Sequence, residues 1–398
     1  MHALKMVHQM LTKSCPQIHA YRLTALLDVV ESLVHGQTLT VTGLGRASLR
    51  AISRKHSIKH SDRLIGNDQL YREKAMIYRA VSHWLMGNHQ RPLILIDWSD
   101  FTYDRSHLIL RASVPVGGRA LTLYEEVHAY RYYGNARVEK RFLKTLHALL
   151  PEACTPIVVT DAGFLGPWFR AVTKLGWHFI GRLPKSVLYQ EAGQRHWSKC
   201  QDLFERATTT SHYVGEVALV RSHPFLCHLY HYRHPRQGRH KMTMFGKRAQ
   251  SRHSKKNAQR EASPWILASS LSPDEATAKQ VIQRYRTRMQ IEEGFRDLKN
   301  HRTGFALSST RSRSPERLAN LLLVGMLATL MLWLMGRMAE AKQRHYQYQA
   351  NTVRTQRVLS LFYLGCLLVA QGEFHLTQRE VKQAMVLVQQ DMLRQWES

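Results

Sequence analysis

The stretch "PLILID", residues 92–97, decides the fold of this chain. An uninterrupted apolar run of this length is typical of a strand that is covered on both faces of its sheet. A second run of the same kind, "TPIVVTD", occupies residues 155–161, and each run ends in an aspartate. Because the carboxyl ends of neighbouring strands meet at one edge of a sheet, the sequence predicts that Asp97 and Asp161 converge there.

The segments around these two strands predict a mixed α/β sheet. A hairpin follows the first strand, with Gly117-Gly118 at its turn, and an amphipathic helix separates the hairpin from the second strand. A helix and another strand come next, so the order β-β-β-α-β-α-β matches the ribonuclease-H-like fold, which is the fold class that we predict. The segments are "HLILRASVPV" (107–116), "RALTLYEEV" (119–127), "NARVEKRFLKTLHALL" (135–150), "PWFRAVTKLGW" (167–177) and "HFIGRL" (178–183).

A chain of 398 residues is expected to form more than one domain. Short alternating strands predict a β-rich insertion in the core, and its basic loop, residues 233–260, holds ten Lys or Arg and no acid. We predict that this loop contacts phosphates, although such a loop can also be disordered. The predicted regions are a helical DNA-binding domain (1–85), the first part of the core (86–182), the β-rich insertion (183–263), the second part of the core (264–340) and a C-terminal helical region for dimerisation and DNA contact (341–398).

The net charge predicts a polyanionic partner. The chain has 57 Lys and Arg against 29 Asp and Glu, a formal charge of +28, while its 44% hydrophobic content is that of a globular protein and not of a disordered one. Each phosphate that such a protein neutralises releases condensed counterions, which favours binding. We therefore predict nucleic acid as the partner.

A helix-turn-helix is predicted in the second half of residues 38–67. Two short helices fit this stretch, with Ser57 as the cap of the second helix and basic residues on either side. A small basic helical bundle without this function would have a similar pattern. Together with the charge, the pattern predicts that the N-terminal region contacts DNA.

The cysteines and the apolar runs predict a protein of a reducing compartment. Five scattered cysteines without a CxxC pair indicate neither a disulfide framework nor a cysteine zinc site. The N-terminus lacks the apolar core of a signal peptide. The run "LANLLLVGMLATLMLWLMG", residues 318–336, is barely long enough to span a membrane, so we predict a buried core helix and no membrane partner.

The stretch "IQRYRTRMQIEEGFRDLKN", residues 282–300, is predicted to be the helix that carries the chemistry. At about 100° per residue, Tyr285, Arg288, Glu292 and Lys299 fall within roughly 60° of one another on one face. A solvated face would more often pair Glu with Lys four residues apart, and it would seldom include a tyrosine.

Three carboxylates, Asp97, Asp161 and Glu292, are the candidate metal ligands. Hard divalent cations that act on phosphates prefer oxygen ligands, with positions left for water and substrate. Two such ions about 4 Å apart can activate a nucleophile and stabilise a leaving oxygen. An acid after a strand is also an ordinary turn residue or helix cap, so neither aspartate alone decides the matter.

The four-residue pattern resembles the YREK signature of the DDE transposases in the IS-four family of bacterial insertion sequences. "LIDWSD" (95–100), "VTDAGF" (159–164) and "RMQIEEGFRDLK" (288–299) resemble the three acidic boxes of that family. "LRASV" (110–114), "LYEE" (123–126) and "QANTVR" (349–354) are similar to the Tn-ten (IS-ten) branch. The resemblance covers nearly the whole chain and is weakest in the basic loop.

The resemblance implies a cut-and-paste transposase that works in the bacterial cytoplasm on nucleoid DNA. Asp97, Asp161 and Glu292 would hold two Mg²⁺ ions, with Mn²⁺ as a substitute, and Tyr285, Arg288 and Lys299 would hold phosphates. The partners would be double-stranded DNA, as terminal inverted repeats and as target, and a second copy of the chain. Family members cut one strand with water, close a DNA hairpin with the freed 3′-hydroxyl, reopen it and join the end to target DNA.

Trp265 matches the insertion tryptophan of that family that stacks on a base flipped out of the hairpin. Closing a tight hairpin unstacks a base, and an aromatic ring returns about 1–3 kcal/mol by stacking. A tryptophan at the start of a buried strand can equally be a core residue.

Three other functions remain possible from the residues. A tyrosine recombinase has the HxxR fragment of residues 128–131 in its favour, but it leaves the carboxylates unexplained. A ribonuclease-H-like DNA nuclease would share the metal ligands without joining strands. A domesticated DNA-binding protein would need the basic surface but not the three acids.

Overall fold

In the computed structural model, the chain forms two compact units. The first unit contains residues 1–154 and 287–397, and the second contains residues 155–286. The structure describes residues 2–102, 104–235, 246–252, 254, 263–350, 352–372 and 376–397. Most of the predicted basic loop lies outside the described residues, and the predicted five-region division stays a prediction.

Three antiparallel strands form the sheet of the first unit: β1 (Leu93–Asp100), β2 (His107–Pro115) and β3 (Ala120–Ala129). The predicted hairpin is confirmed, because Gly117 and Gly118 turn the chain between β2 and β3 with φ of +66° and +95°. Such angles strain any residue with a Cβ. The pairing continues beyond Asp97 to Asp100, so Asp97 lies inside β1 and not at its end as predicted.

Helices cover this sheet and form most of the first unit. They begin at side-chain caps such as Asn67 before α5 and Asn135 before α6, where each amide oxygen accepts a backbone N–H of the first turn. The helices are α1 (His2–Ser14), α2 (Ala20–Gly36), α3 (Val41–Arg46), α4 (Arg54–Ile65), α5 (Asp68–Met86) and α6 (Ala136–Leu149), and after the second unit α9 (Met289–Lys299), α10 (Pro315–Ala341), α11 (Leu361–Gln371) and α12 (Gln378–Glu397).

The 27-residue helix α10 is the core of the first unit. By length and hydropathy alone it could cross a membrane, but 94% of its most apolar window is buried, as predicted for a core helix. It packs on α2, α5, β3, α11 and α12. Gly336 of α10 lies against the backbone of Leu361, and Gly365 of α11 lies against Leu332, so a Cβ at either glycine would collide with the opposite helix.

Residues 38–67 contain two short helices, α3 and α4, but α3 lies in the first half of this stretch and not in the second half as predicted. Their backbones are so close that a Cβ on Gly45 would overlap Ile58. The predicted cap is wrong, because the Ser53 hydroxyl accepts the backbone N–H of His56, whereas Ser57 is buried inside α4. The α4 helix therefore begins one turn earlier than predicted.

The second unit combines a parallel strand pair with an antiparallel extension. Strand β4 (Ile157–Thr160) pairs parallel with β5 (His178–Arg182), and α7 (Gly166–Lys174) connects them. The order across this unit is β4-β5-β10-β9-β8-β6-β7, and every other pair is antiparallel. The remaining elements are β6 (Leu188–Glu191), β7 (Ser198–Lys199), β8 (His212–Leu219), β9 (Phe225–Tyr232), β10 (Trp265–Ser269) and α8 (Ala278–Arg286).

The predicted single helix over residues 282–300 is two helices. Helix α8 ends at Arg286 and α9 begins at Met289, with a turn at Thr287 and Arg288 between them. The first bonds of α9 span three residues, from Gln290 to Thr287 and from Ile291 to Arg288. Tyr285 therefore lies on a different helix from Glu292 and Lys299.

Candidate active site

Helix α9 presents two polar faces about half a turn apart. Glu292 and Lys299 share one face, while Gln290, Glu293 and Asp297 share the other. Ile291, Phe295 and Leu298 are buried between them. We call the face with Gln290, Glu293 and Asp297 the holding face, because its side chains attach the helix. We call the face with Glu292 and Lys299 the equipped face, because it carries the predicted functional residues.

The holding face is bonded to the β2–β3 turn. The Gln290 amide oxygen accepts the backbone N–H groups of Val116 and Gly118, at 3.1 and 3.2 Å, and its nitrogen donates to Gln395 of α12 at 2.7 Å. Further along the helix, Arg119 lies 3.3 Å from Glu293, one turn after Gln290, and donates to Asp297, two turns after Gln290, at 2.7 Å. These bonds fix where α9 carries Glu292.

Asp297 is buried within this attachment. Burial raises the pKa of its carboxyl to about 6, and the Arg119 guanidinium opposes that shift. The sequence did not reveal this residue or its partner, because only the tertiary packing of the hairpin against α9 brings them together.

The equipped face holds two of the predicted acids around one cation. Arg288, at the start of α9, donates to Glu292 at 2.6 Å, and its other terminal nitrogen lies 3.5 Å from Asp97 on β1. The Asp97 side chain is 13% exposed and that of Glu292 is 44% exposed. Two carboxylates from separate elements therefore converge on one guanidinium.

Lys299 is bonded to the end of β1. Its ammonium donates to the Ser99 hydroxyl and to the Asp100 carbonyl oxygen, both at 2.9 Å. Burial lowers its pKa, while the carboxylates of Asp100, Asp97 and Glu292 act in the opposite direction. Lys299 thus lies within electrostatic reach of both predicted acids of this unit.

A buried ion pair lies beside Asp97 in the sheet. Arg111 is directly opposite Asp97 in the β1–β2 register and opposite Glu125 in the β2–β3 register. It donates twice to Glu125, at 2.8 and 2.5 Å, and its guanidinium lies 4.6 Å from the centre of the Phe295 ring of α9. Breaking such a pair would leave an uncompensated buried charge. The contact between the guanidinium and the Phe295 ring ties α9 to the sheet.

In the second unit, Asp161 follows β4 directly, as predicted. Its carboxylate accepts the backbone N–H of Gly163 at 2.8 Å, which is the geometry of a turn residue. The side chain is half-buried. This bond fixes the orientation of the carboxylate just beyond the end of the strand.

Trp265 belongs to an aromatic cluster of the second unit. The half-buried indole packs edge-on against Tyr285, with ring centres 4.9 Å apart, and lies 5.7 Å from Tyr232. Arg286 donates to the Tyr232 hydroxyl at 2.6 Å. Tyr285 is only 3% exposed, so most of its ring is core.

The sequence profile of the transposase DDE domain matches residues 88–331, which is more than half of the chain. The chain belongs to the transposase DDE-domain family. The matched range contains every predicted site residue, and the ribonuclease-H-like fold of this domain confirms the predicted fold class. No curated protein matches the chain at a significant level.

The donor set of this transposase domain fits a hard divalent cation. Asp97 and Glu292 offer only carboxylate oxygens, and the guanidinium between them shows that their common neighbourhood accepts a positive charge. Within the described residues, no group of three or more His, Cys, Asp or Glu side chains has the spacing of a metal site.

The structure therefore brings together Asp97, Arg288 and Glu292, with Lys299 beside them, and it separately brings together Trp265 and Tyr285. Sequence reasoning missed the residues that attach α9, because their partners are distant in the chain. The only signal was the seven-residue spacing of Gln290 and Asp297, which puts both on one face. The roles of all seven predicted residues stay predictions.

Proposed function

We propose that this protein is a cut-and-paste DNA transposase of the IS-four family, in the Tn-ten branch. It would bind the terminal inverted repeats of an insertion sequence, excise the element through a DNA hairpin and join its 3′-hydroxyl ends to target DNA. Membership of the transposase DDE-domain family supports the transposase activity. The observation that carries the proposal is the convergence of Asp97 and Glu292 on Arg288.

The three acids would bind two Mg²⁺ ions or two Mn²⁺ ions. When bound, these ions supply an activated nucleophile and stabilise the leaving oxygen of an in-line displacement. Asp97 would contribute from the sheet and Glu292 from α9, and Asp161 would contribute from the end of β4. The attachment of α9 through Gln290 and Asp297 would hold Glu292 in place without further rearrangement.

The cations of the signature would bind the DNA backbone. Arg288 presents a planar fork suited to two oxygens, and Lys299 presents a point charge. Arg288 pairs with both carboxylates in the free protein, so binding of ions there would release its guanidinium for a phosphate. Tyr285 would offer its hydroxyl to the same strand.

Trp265 would receive the base that is expelled when the hairpin closes. Its half-buried indole packs edge-on against Tyr285, and this contact would hold the indole ring in place for stacking on a base. The predicted partners are double-stranded DNA and a second copy of the chain in the paired-end complex. The predicted location is the bacterial cytoplasm, on the nucleoid.

Cleavage of a linear DNA that carries the terminal repeats tests the proposal. With Mg²⁺ or Mn²⁺ we expect nicking, a hairpin on a denaturing gel and joining to a plasmid target. Ca²⁺, which is larger and has looser geometry, should support assembly without cleavage. Metal-dependent nicking without hairpins or joined products would favour a ribonuclease-H-like nuclease, and selective end binding without any cleavage would favour a domesticated DNA-binding protein.

A further inference from the structure

The turn after β3, residues 130–134, carries exposed tyrosines at one end of the three-stranded sheet of the first unit. Tyr130 is 57% exposed and Tyr133 is 53% exposed, and Tyr132 and Arg131 are also at the surface. Such a concentration of exposed aromatic rings on a monomer is typical of a binding surface. We call residues 130–134 the tyrosine turn.

The tyrosine turn is held in place before any ligand binds. The Tyr130 N–H donates to the Ser106 carbonyl oxygen, and the Tyr133 N–H donates to that of Tyr130, both at 3.0 Å. Gly134, at φ +65°, then leads the chain into α6, which Asn135 caps. The rings of Tyr130 and Tyr133 are nearly parallel, with an interplanar angle of 12° and centres 6.4 Å apart.

Contacts in the first unit link this turn to β1 and α6. The Tyr133 ring lies 5.9 Å from that of Trp98 on β1. The Trp98 indole donates to the buried Glu139 of α6 at 3.2 Å, which holds that ring in turn. Trp98 and Asp97 are consecutive residues of a strand and face opposite sides of the sheet, so the tyrosine turn lies on the side of α6 and not on the side where Asp97 meets Arg288.

The neighbouring charge selects an anionic ligand. Between residues 130 and 147 there are five Lys or Arg and a single acid, Glu139, which is buried. Four of these cations are exposed on α6, which follows the tyrosine turn, and the fifth, Arg131, is exposed within the turn itself. The cations that form this basic face of α6 are Arg137, Lys140, Arg141 and Lys144.

We propose that the tyrosine turn and the basic face of α6 form a platform that binds unpaired DNA bases. Rings that stack on bases beside cations that follow the backbone are the usual means of binding single strands. The ring faces favour unpaired bases, because in a duplex the neighbouring pairs cover both faces of each base. The identity of this DNA rests on the proposed function, and it is either the flank of the cleaved end or the target.

Binding in EDTA with the full-length protein tests the platform apart from catalysis. The probes are a labelled 20-nucleotide single strand, a duplex with an unpaired bubble and the same duplex fully paired. For Tyr130→Ala combined with Tyr133→Ala, we expect binding to the first two probes to weaken by about 5- to 150-fold, and binding to the paired duplex to change by less than about threefold. The double Phe variant should restore most of the affinity, because it keeps the ring faces.

Two controls separate this idea from others. Leu226, 69% exposed on β9 of the second unit, is the matched exposed apolar residue, and Leu226→Ala should bind all probes like the wild type. Asp97→Asn should also bind normally, so loss of cleavage alone would bear on the proposed function and not on the platform. Crosslinking from 5-iodouracil placed in the end flank or in target DNA, followed by peptide mapping, then identifies which DNA reaches the tyrosine turn.

Unchanged single-strand binding in a folded double Ala variant would overturn the proposal, as would crosslinks that map elsewhere in both arms. Normal DNA binding with a lost dimer in sedimentation would assign the tyrosines to contact between copies of the chain instead.

Discussion

The charged and the aromatic parts of the signature differ in how their side chains are held. Arg288, Glu292 and Lys299 are held by ion pairs and hydrogen bonds on a partly exposed surface of the first unit. Tyr285 is held by packing, edge-on to Trp265 and almost fully buried, in the second unit. Residues that a helical projection puts on one face thus occupy two environments.

The difference separates two kinds of contribution to function. Changing a charged residue alters local electrostatics while the fold keeps its apolar core, so the effect should appear in chemistry. Changing Tyr285 removes packing, so the effect should appear first in stability. Measuring cleavage and unfolding of the same variants therefore separates the two kinds of contribution.

The largest expected effect is on cleavage by the charged part. Asp97→Asn, Asp161→Asn and Glu292→Gln should each slow cleavage on the order of 1,000-fold or more, because several kcal/mol of metal-dependent stabilisation is lost. Single-turnover cleavage of end DNA measures this, and a gel shift should show nearly unchanged binding. Glu293→Gln, on the holding face of α9, is the matched control and should lose less than about tenfold. Near-normal cleavage in any of the three would remove that residue from the site.

Tyr285→Ala should lower the free energy of unfolding by about 3–5 kcal/mol, the usual cost of deleting a buried aromatic side chain. Urea denaturation followed by tryptophan fluorescence measures it. Tyr285→Phe keeps the ring and should retain most of the stability, so any loss of DNA cleavage in that variant reports on the hydroxyl. If Tyr285→Ala unfolds like the wild type, the aromatic part is not a packing element and the comparison fails.

The raised pKa of Asp297, which helps to hold the helix of the charged part, makes the stability of the protein depend on pH. The native carboxyl keeps its proton up to about pH 6, whereas an unfolded aspartate releases it near pH 4. The native state binds more protons in that interval, so the unfolding free energy should fall as pH rises from about 4 to 6, by at most about 3 kcal/mol. Asp297→Asn should flatten this slope, and Glu152→Gln, at an exposed site, should leave it unchanged. An identical slope in Asp297→Asn would refute the assignment.

The smallest expected effect concerns Trp265. Trp265→Ala should leave first-strand nicking nearly unchanged and slow hairpin closure by about 5- to 150-fold, which corresponds to losing roughly 1–3 kcal/mol of stacking. Trp265→Phe should recover part of that rate. A pre-nicked substrate on a denaturing gel isolates the step. A folded Ala variant that closes hairpins at the normal rate would show that Trp265 serves only the core.

Local patterns predicted the elements but not the exact ends of some of them. The hairpin, the buried strands and α10 follow from periodicity and glycines, which depend on nearby residues alone. Ser53 and Ser57 begin the similar segments "SRKH" and "SIKH", so the sequence offered two caps of equal quality and packing selected the first. The break at Thr287 contains neither Pro nor Gly, and no local rule marks it.

The site was predictable in its residue types and not in its bonds. The spacing of acids after apolar runs pointed to Asp97 and Asp161, and the helical projection pointed to Glu292. The bridge from Arg288 to Asp97 depends on where α9 packs on β1. That depends on the bonds from Val116 to Gln290 and from Arg119 to Asp297, each across more than 170 residues of chain. Long-range packing of this kind leaves no mark in a short window of sequence.

The burial of α10 also constrains how the protein is made. Two of the elements that cover this helix, α11 and α12, lie after it in the chain, between Leu361 and Glu397. A ribosome adds about 5–20 residues per second, so a nascent chain displays a long apolar helix for several seconds before its covering segments exist. During synthesis, α10 is therefore a natural binding site for chaperones, and the first unit cannot complete its core until α12 has been made.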